Sequence, residues 1–270
     1  MKIAVSGKGG VGKSTVAAML AHLASREGRR VLAIDADPDA NLAAALGIPP
    51  EGRARLIPIS ERRALIEERT GAKVKQYGQI FRLNPDVSDI AEKESAQFRG
   101  IHLLVLGAVE RGGSGCACPE NVILRALLTD VILYRDDCVI VDFEAGLEHL
   151  GRATARAVDL LLVVVEPGGR AVETARSVHR MAVEIGIQKL AIVGNKIRDE
   201  CDEIFLRNAL PSADYLGSIR FSDVIQKADR EDVPLIDIAD DILMVQSCEL
   251  WERVKERVRT PVTQVVGLRG

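Results

Sequence analysis

Short, almost unbroken apolar runs alternate along the chain with longer stretches in which apolar positions recur every three or four residues. Lys2–Ser6 (KIAVS) reads as a strand. Lys13–Arg26 reads as a helix with Val16, Met19, Leu20 and Leu23 on one face. Further strands are predicted at 31–35, 101–109, 138–142, Leu160–Val165 and 190–194, with a weaker one at 215–219. Helical patterns fall between them, notably at 121–133, 171–185 and 240–257. Apolar strands separated by helices belong to parallel sheets covered on both faces. The predicted class is α/β, a doubly wound, mostly parallel sheet with helices on both faces. Residues 49–100 fit this alternation poorly. They are read as an insertion with one helix, at 60–70, in a single domain spanning 1–270.

Composition narrows the function classes. Apolar residues make up 47 % of the 270, which argues against a disordered chain. The net charge is −3 with no acidic or basic block, so neither nucleic acid nor a lipid surface is expected as a partner. Five Phe, three Tyr and one Trp leave little for a base-stacking surface. The longest apolar run, near Leu160–Val165, is far short of the ~18 residues that span a bilayer. The first strand begins at once, without a charged leader and apolar signal core, so a cytoplasmic location is expected. The five cysteines are scattered except for Cys116 and Cys118, which is not a disulfide framework. Cys138, Cys201 and Cys248 are expected as small buried apolar residues.

Residues 7–15 read GKGGVGKST between a predicted strand and a predicted helix, the context a phosphate-binding loop needs. Gly7, Gly9, Gly10 and Gly12 let the backbone turn its N–H groups, that of Val11 included, towards phosphate oxygens. The helix N-terminus adds its positive end. Lys13 is placed for the β- and γ-phosphates, Ser14 for magnesium and Thr15 for the α-phosphate. Lys8 is not required by the general pattern. A KGGxGK[ST] loop resembles the deviant Walker A ATPases, the class of the nitrogenase iron protein and of MinD-type and ParA-type ATPases. That resemblance implies an ATP-dependent homodimer in which Lys8 reaches the nucleotide of the other subunit, a cation supplied in trans.

Carboxylates close two strands. Residues 35–41 read DADPDAN, and ligands of open α/β sheets lie beyond the carboxyl ends of the strands. Asp35 and Asp37 are therefore expected near magnesium and the γ-phosphate. The resemblance implies that Asp37 orients or deprotonates the attacking water and that Asp35 supports the magnesium shell. Asp39 is expected in solvent. Asp-Pro-Asp is also good turn chemistry. The strand at 138–142 closes on Asp142, a Walker B pattern that would hold magnesium through water, and Gly146 would permit a γ-phosphate-sensing loop. His149 is read as structural before it is read as a ligand. In GNKIRD, Asn195 is expected to bond adenine, with Lys196 beside it. A guanine-reading aspartate would stand where Arg198 stands, with Asp199 one place late, so ATP is favoured over GTP.

Cys116-Ala117-Cys118-Pro119 follows GGSG and precedes a predicted helix, with Pro119 suited to its first turn. A helix N-terminus stabilises thiolates, which soft divalent metals prefer. One chain offers half of a tetrahedral set, and two chains about a twofold axis offer all of it. A strained disulfide, a bridging iron–sulfur cluster and inert structural cysteines stand as alternatives to a transient nickel or zinc site.

The motifs GKGGVGKST, DADPDANL, GGSGCACPEN, EAGLEHLGRATARAVD and GNKIRD together resemble the CooC-type nickel-insertion ATPases of carbon monoxide dehydrogenase maturation. The resemblance implies ATP hydrolysis coupled to nickel delivery into the apo-enzyme, with acetyl-CoA synthase as the second possible client. A MinD/ParA-type positioning ATPase and an iron–sulfur-carrying ATPase are the rivals. The strand leading into Cys116 is expected beside the one ending at Asp142, so that the 142–146 loop could move the cysteines.

Overall fold

The unbroken apolar runs become strands because both of their faces are covered. A computed structural model of the chain describes residues 1–73, 79–107, 118–147, 150–211 and 214–261. Its strands are β1 (Lys2–Ser6), β2 (Val31–Ala36), β3 (Ala96–Phe98), β4 (Ile101–Val105), β5 (Cys138–Phe143), β6 (Leu160–Val165), β7 (Leu190–Ile197) and β8 (Tyr215–Arg220). They form one sheet in the order β3-β4-β2-β5-β1-β6-β7-β8. Every pair is parallel except β3 with β4. All residues of β1, β2, β5 and β6 are buried, so these four strands carry the core. Each buried Val, Leu or Ile there contributes about 1.5–3 kcal/mol, which outweighs the weak intrinsic preference of such short segments.

Helix α1 (Lys13–Arg26) starts at the end of the loop after β1 and packs on β2 and β5. Its Ala17, Ala18, Ala21 and Ala24 are buried, and these small side chains let the helix lie close to the sheet. The C-terminal helix Asp241–Arg259 begins on an aspartate cap, with Leu243 N donating to Asp240 Oδ1 at 2.8 Å. Its Trp251 is 2 % exposed, and the indole N–H donates to Glu27 Oε1 at 2.8 Å, fastening this helix to the end of α1. Among the described residues no helix is long and apolar enough to cross a membrane.

Three expectations about the strands and the 49–100 stretch need correction. First, residues 49–100 hold more than one helix. A 3-10 turn (Ile59–Glu61) precedes the helix Arg63–Thr70, and short helices occupy Pro50–Arg53 and Ile90–Glu94. Ile59, Ile66, Val87 and Ile90 join the same core as the strands. The edge strand β3 also lies here; its three half-exposed residues AQF carry no periodicity to read. Second, β4 ends at Val105, and residues 108 and 109 of the predicted strand lie outside the described residues. Third, β4 and β5 are not neighbours. β2 stands between them, pairing with β4 through Asp35↔Val105 and with β5 through Asp35↔Asp142. Parallel neighbours are joined through crossovers, so adjacency is a non-local property that neither strand's own sequence encodes.

Of the cysteines expected to be buried, Cys138 is, whereas Cys201 and Cys248 are exposed on helices.

Candidate functional site

The carboxyl ends of β1, β2 and β5 meet at the centre of the sheet, and the glycine-rich loop, Lys13, Asp35, Asp37 and Asp142 gather there. β1 ends at Ser6, whose hydroxyl donates to Glu144 O at 2.9 Å, tying the start of the phosphate loop to the chain after β5. Gly7 then turns with φ +151°, and a Cβ there would stand 2.3 Å from the Val164 carbonyl oxygen. Gly10 and Gly12 take φ +82° and +94°, conformations that side chains resist. Gly12 passes directly into α1, which places Lys13 at the first helical position.

Lys13 is 6 % exposed, and its ammonium lies 3.4 Å from Asp37 Oδ2. The turn chemistry expected at 35–41 is formed. Asp35 accepts from the N–H groups of Asp37 (3.3 Å) and Leu42 (2.9 Å), and Asp37 accepts from Asp39 N–H at 3.1 Å. Asp39 itself is exposed. Lys8 and Ser14 are half-buried, as is Thr15 on the first turn of α1, while Gly9 and Gly10 are open to solvent.

Asp35 and Asp142 stand side by side on paired strands and are fully buried. Burial, then the Asp142 charge, pushes the Asp35 carboxyl up to about 7 against the two N–H donors that favour its ionised form. Burial likewise raises Asp142, to about 6, although the nearby Ser14 hydroxyl and Lys13 ammonium favour its charge. Neither Asp142 oxygen has a hydrogen bond of ordinary geometry among the described residues. An unpartnered, buried carboxylate beside a serine hydroxyl is the donor set a hard divalent cation takes, so these residues fit magnesium.

The same burial has a cost. A carboxyl raised above its unfolded value favours folding most at low pH, and that contribution is lost as pH rises through the folded value. The ligand-free protein should therefore lose stability as pH rises from 3.8 through about 6 for Asp142. Asp142→Asn should be more stable than wild type at pH 8, by on the order of 2 kcal/mol, with the gap closing near pH 4. Denaturant unfolding at both pH values measures it. A variant less stable at pH 8 would show that Asp142 is not strained by burial.

Asn195 and Lys196 lie at the end of β7, which runs past the predicted 190–194. Asn195 is 4 % exposed, and its amide donates to Val11 O at 2.7 Å. Lys196 Nζ donates to Gly10 O at 2.6 Å and pairs with Glu166 at 3.0 Å. Asp199 accepts from Asp202 N–H at 3.1 Å and caps the helix Glu200–Ala209. The Arg198 guanidinium packs over the Phe221 ring at 4.5 Å. Sequence reasoning missed Glu166. Its signal was an acidic residue directly after the apolar run of β6.

Cys118 is the N-cap of the helix Pro119–Tyr134, its sulfur accepting from Asn121 N–H at 3.5 Å. Cys116, Glu148 and His149 lie outside the described residues. Among the described residues no three His, Cys, Asp or Glu side chains gather into a metal-binding group.

A glycine-rich loop between β1 and α1, with a buried lysine facing two strand-end aspartates, is the site of a P-loop nucleotide-binding ATPase. The chain belongs to the CobQ/CobB/MinD/ParA nucleotide-binding family, whose model matches residues 2–235. It is 48 % identical to the carbon monoxide dehydrogenase accessory protein CooC of Rhodospirillum rubrum, over 88 % of this chain and 90 % of that one. It is 42 % identical to an uncharacterized ATP-binding protein of Methanocaldococcus jannaschii, over 85 % of this chain and 88 % of that one. Similar solved structures include a putative plasmid partition protein of Borrelia burgdorferi bound to AMPPNP (TM-score 0.65, 17 % identity, 95 % of this chain and 99 % of that one). The MinC:MinD cell division complex of Aquifex aeolicus is another (TM-score 0.63, 18 % identity, 98 % of this chain and 99 % of that one). At such identities these two likenesses establish the fold alone.

Proposed function

We propose that the chain works as an ATP-hydrolysing homodimer that carries nickel, or zinc, to apo carbon monoxide dehydrogenase. The observation that carries this reading is Cys118 at a helix N-terminus, in a chain 48 % identical to a carbon monoxide dehydrogenase accessory protein. The positive end of the helix stabilises negative charge on sulfur. Cys116 and Cys118 supply two thiolates, and the same pair from a second subunit completes a tetrahedral set. The likeness to a carbon monoxide dehydrogenase accessory protein favours carbon monoxide dehydrogenase over acetyl-CoA synthase as client.

In the nucleotide site, the backbone N–H groups from Gly7 to Gly12 wrap the phosphates, and Thr15 reaches the α-phosphate. Lys13 neutralises the β- and γ-phosphates, and Lys8 reaches across to the nucleotide of the second subunit. Ser14, with Asp142 through water and Asp35 behind it, would hold magnesium, which supplies charge neutralisation at the phosphates when bound. Asp37 orients the attacking water and accepts its proton. Asn195 keeps its carbonyl oxygen for the adenine amine while its nitrogen holds Val11.

Nucleotide state is passed towards the cysteines through β2, the strand that pairs with β4, since β4 and β5 are not direct neighbours. Leu106 N–H donates to Asp35 O at 2.9 Å, so the exit of β4 is fastened to the Asp35–Asp37 turn. Gly107 follows with φ +80°, and a Cβ there would stand 2.3 Å from Ser60 Oγ. A shift of that turn on binding the γ-phosphate is thereby passed to the segment that leads to Cys116 and Cys118.

Anaerobic titration with nickel and with zinc tests the reading. The expected result is one metal per dimer, lost in Cys116→Ser and in Cys118→Ser while ATP binding survives, with affinity differing between ADP and a non-hydrolysable ATP analogue. One metal per monomer, or full retention in the double serine variant, would rule out the shared site. Absorption near 400 nm in the native protein would point to an iron–sulfur cluster instead.

A further inference from the structure

A loop that turns its N–H groups inward around phosphate must turn carbonyl oxygens outward, and those oxygens need partners of their own. Two of them have partners from one strand end. Asn195 takes Val11 O at 2.7 Å, and Lys196 takes Gly10 O at 2.6 Å. The approach is close enough that a Cβ on Gly12 would stand 2.3 Å from Asn195 Nδ2. Lys196 adopts φ +58°, a left-handed conformation costly for a residue with a side chain, which persists only where contacts over-determine it. The second such contact is Glu166, at the end of the neighbouring strand β6 and 3.0 Å from the same ammonium.

We infer that Glu166 and Lys196 are positioning residues for the phosphate loop. They hold the Gly10 carbonyl turned away from the nucleotide, so that the loop presents its N–H groups already oriented, and Glu166 acts through Lys196. The arrangement touches the loop and not the base, so its contribution is the same for adenine and guanine nucleotides. This assignment rests on nucleotide binding alone and is independent of any metal cargo.

The test is a set of ADP and GDP affinities for wild type, Glu166→Gln, Lys196→Met, Lys196→Arg and the Glu166→Gln/Lys196→Met double variant. KM and kcat for ATP are measured on the same proteins. Lys196→Met should weaken ADP and GDP by the same factor, about tenfold, and Lys196→Arg should restore most of it. KM should rise by more than kcat falls. Glu166→Gln should weaken both nucleotides about threefold in the wild-type background and add nothing in the Lys196→Met background. Weakening confined to ADP would overturn the inference by making Lys196 a base contact. An equal Glu166→Gln effect in both backgrounds would overturn the claim that Glu166 works through Lys196. The wild-type ADP titration reports separately on the nucleotide reading beneath it.

Discussion

Lys13→Ala should lower the affinity for ADP and ATP by about a hundredfold while the protein stays folded. Lys13 is the first residue of α1, and the left-handed Gly12 before it sets where its side chain leaves the loop. Its side chain is 6 % exposed, with the Asp37 carboxylate 3.4 Å from the ammonium. A cation held in so little water acts on phosphate with far less screening than a surface lysine would. Charge-assisted bonds are worth about 1.5–3 kcal/mol each. Losing contacts to two phosphates, discounted for the backbone N–H groups that remain, comes to roughly 2.8 kcal/mol, which is the stated hundredfold. Lys13→Arg should recover little, since a planar fork does not occupy the place of a compact ammonium. Calorimetric titration with ADP measures the loss, and thermal unfolding of each variant shows whether it is one of folding. Affinity within threefold of wild type in Lys13→Ala would remove Lys13 from the phosphate site.

The difference between what the residues announced and what they concealed follows from range. The four central strands were legible because burial on both faces leaves an unbroken apolar signature in a few consecutive residues, as in LLLVVV of β6. The gathering of the glycine-rich loop with Asp35, Asp37 and Asp142 was legible because each stands at or just beyond a strand end. β3 was not, because an edge strand of three half-exposed residues needs no apolar run. The order β4-β2-β5 was not, because it depends on crossovers that bring 101–105, 31–36 and 138–143 together. Leu106 N–H donates to Asp35 O, so the exit of β4 is fastened to the strand that leads into the Asp37 turn. Glu166 was hidden for the same reason. Its partner Lys196 lies 30 positions further on, and only the pairing of β6 with β7 joins them. Asn195 was read as an adenine contact, and its bond to the Val11 carbonyl was not legible, since an amide can serve base or backbone equally well.

Asp37→Ala should leave nucleotide binding intact, which alone tells it from Lys13→Ala, yet reduce hydrolysis by ~10²-fold or more. The structure gives Asp37 two engagements. Its Oδ1 accepts from Asp39 N–H, which fixes the carboxylate within the 35–41 turn, and its Oδ2 faces the Lys13 ammonium. If the phosphates take that ammonium as proposed, Oδ2 is freed while its orientation is still held through Oδ1. A carboxylate so placed can align a water for in-line attack and accept its proton, a contribution made in the transition state and absent from ground-state binding. Removing it also removes the competitor for Lys13, so ADP affinity should be equal to wild type or about twofold tighter. Asp37→Asn keeps the shape and the bond from Asp39 N–H but cannot accept a proton, so it should lose turnover nearly as fully. Phosphate release under saturating ATP and magnesium, paired with ADP titration, measures both halves. Turnover within threefold of wild type in Asp37→Ala would take the proton-accepting role away from this residue. Loss of binding in parallel with turnover would instead assign Asp37 to holding the loop.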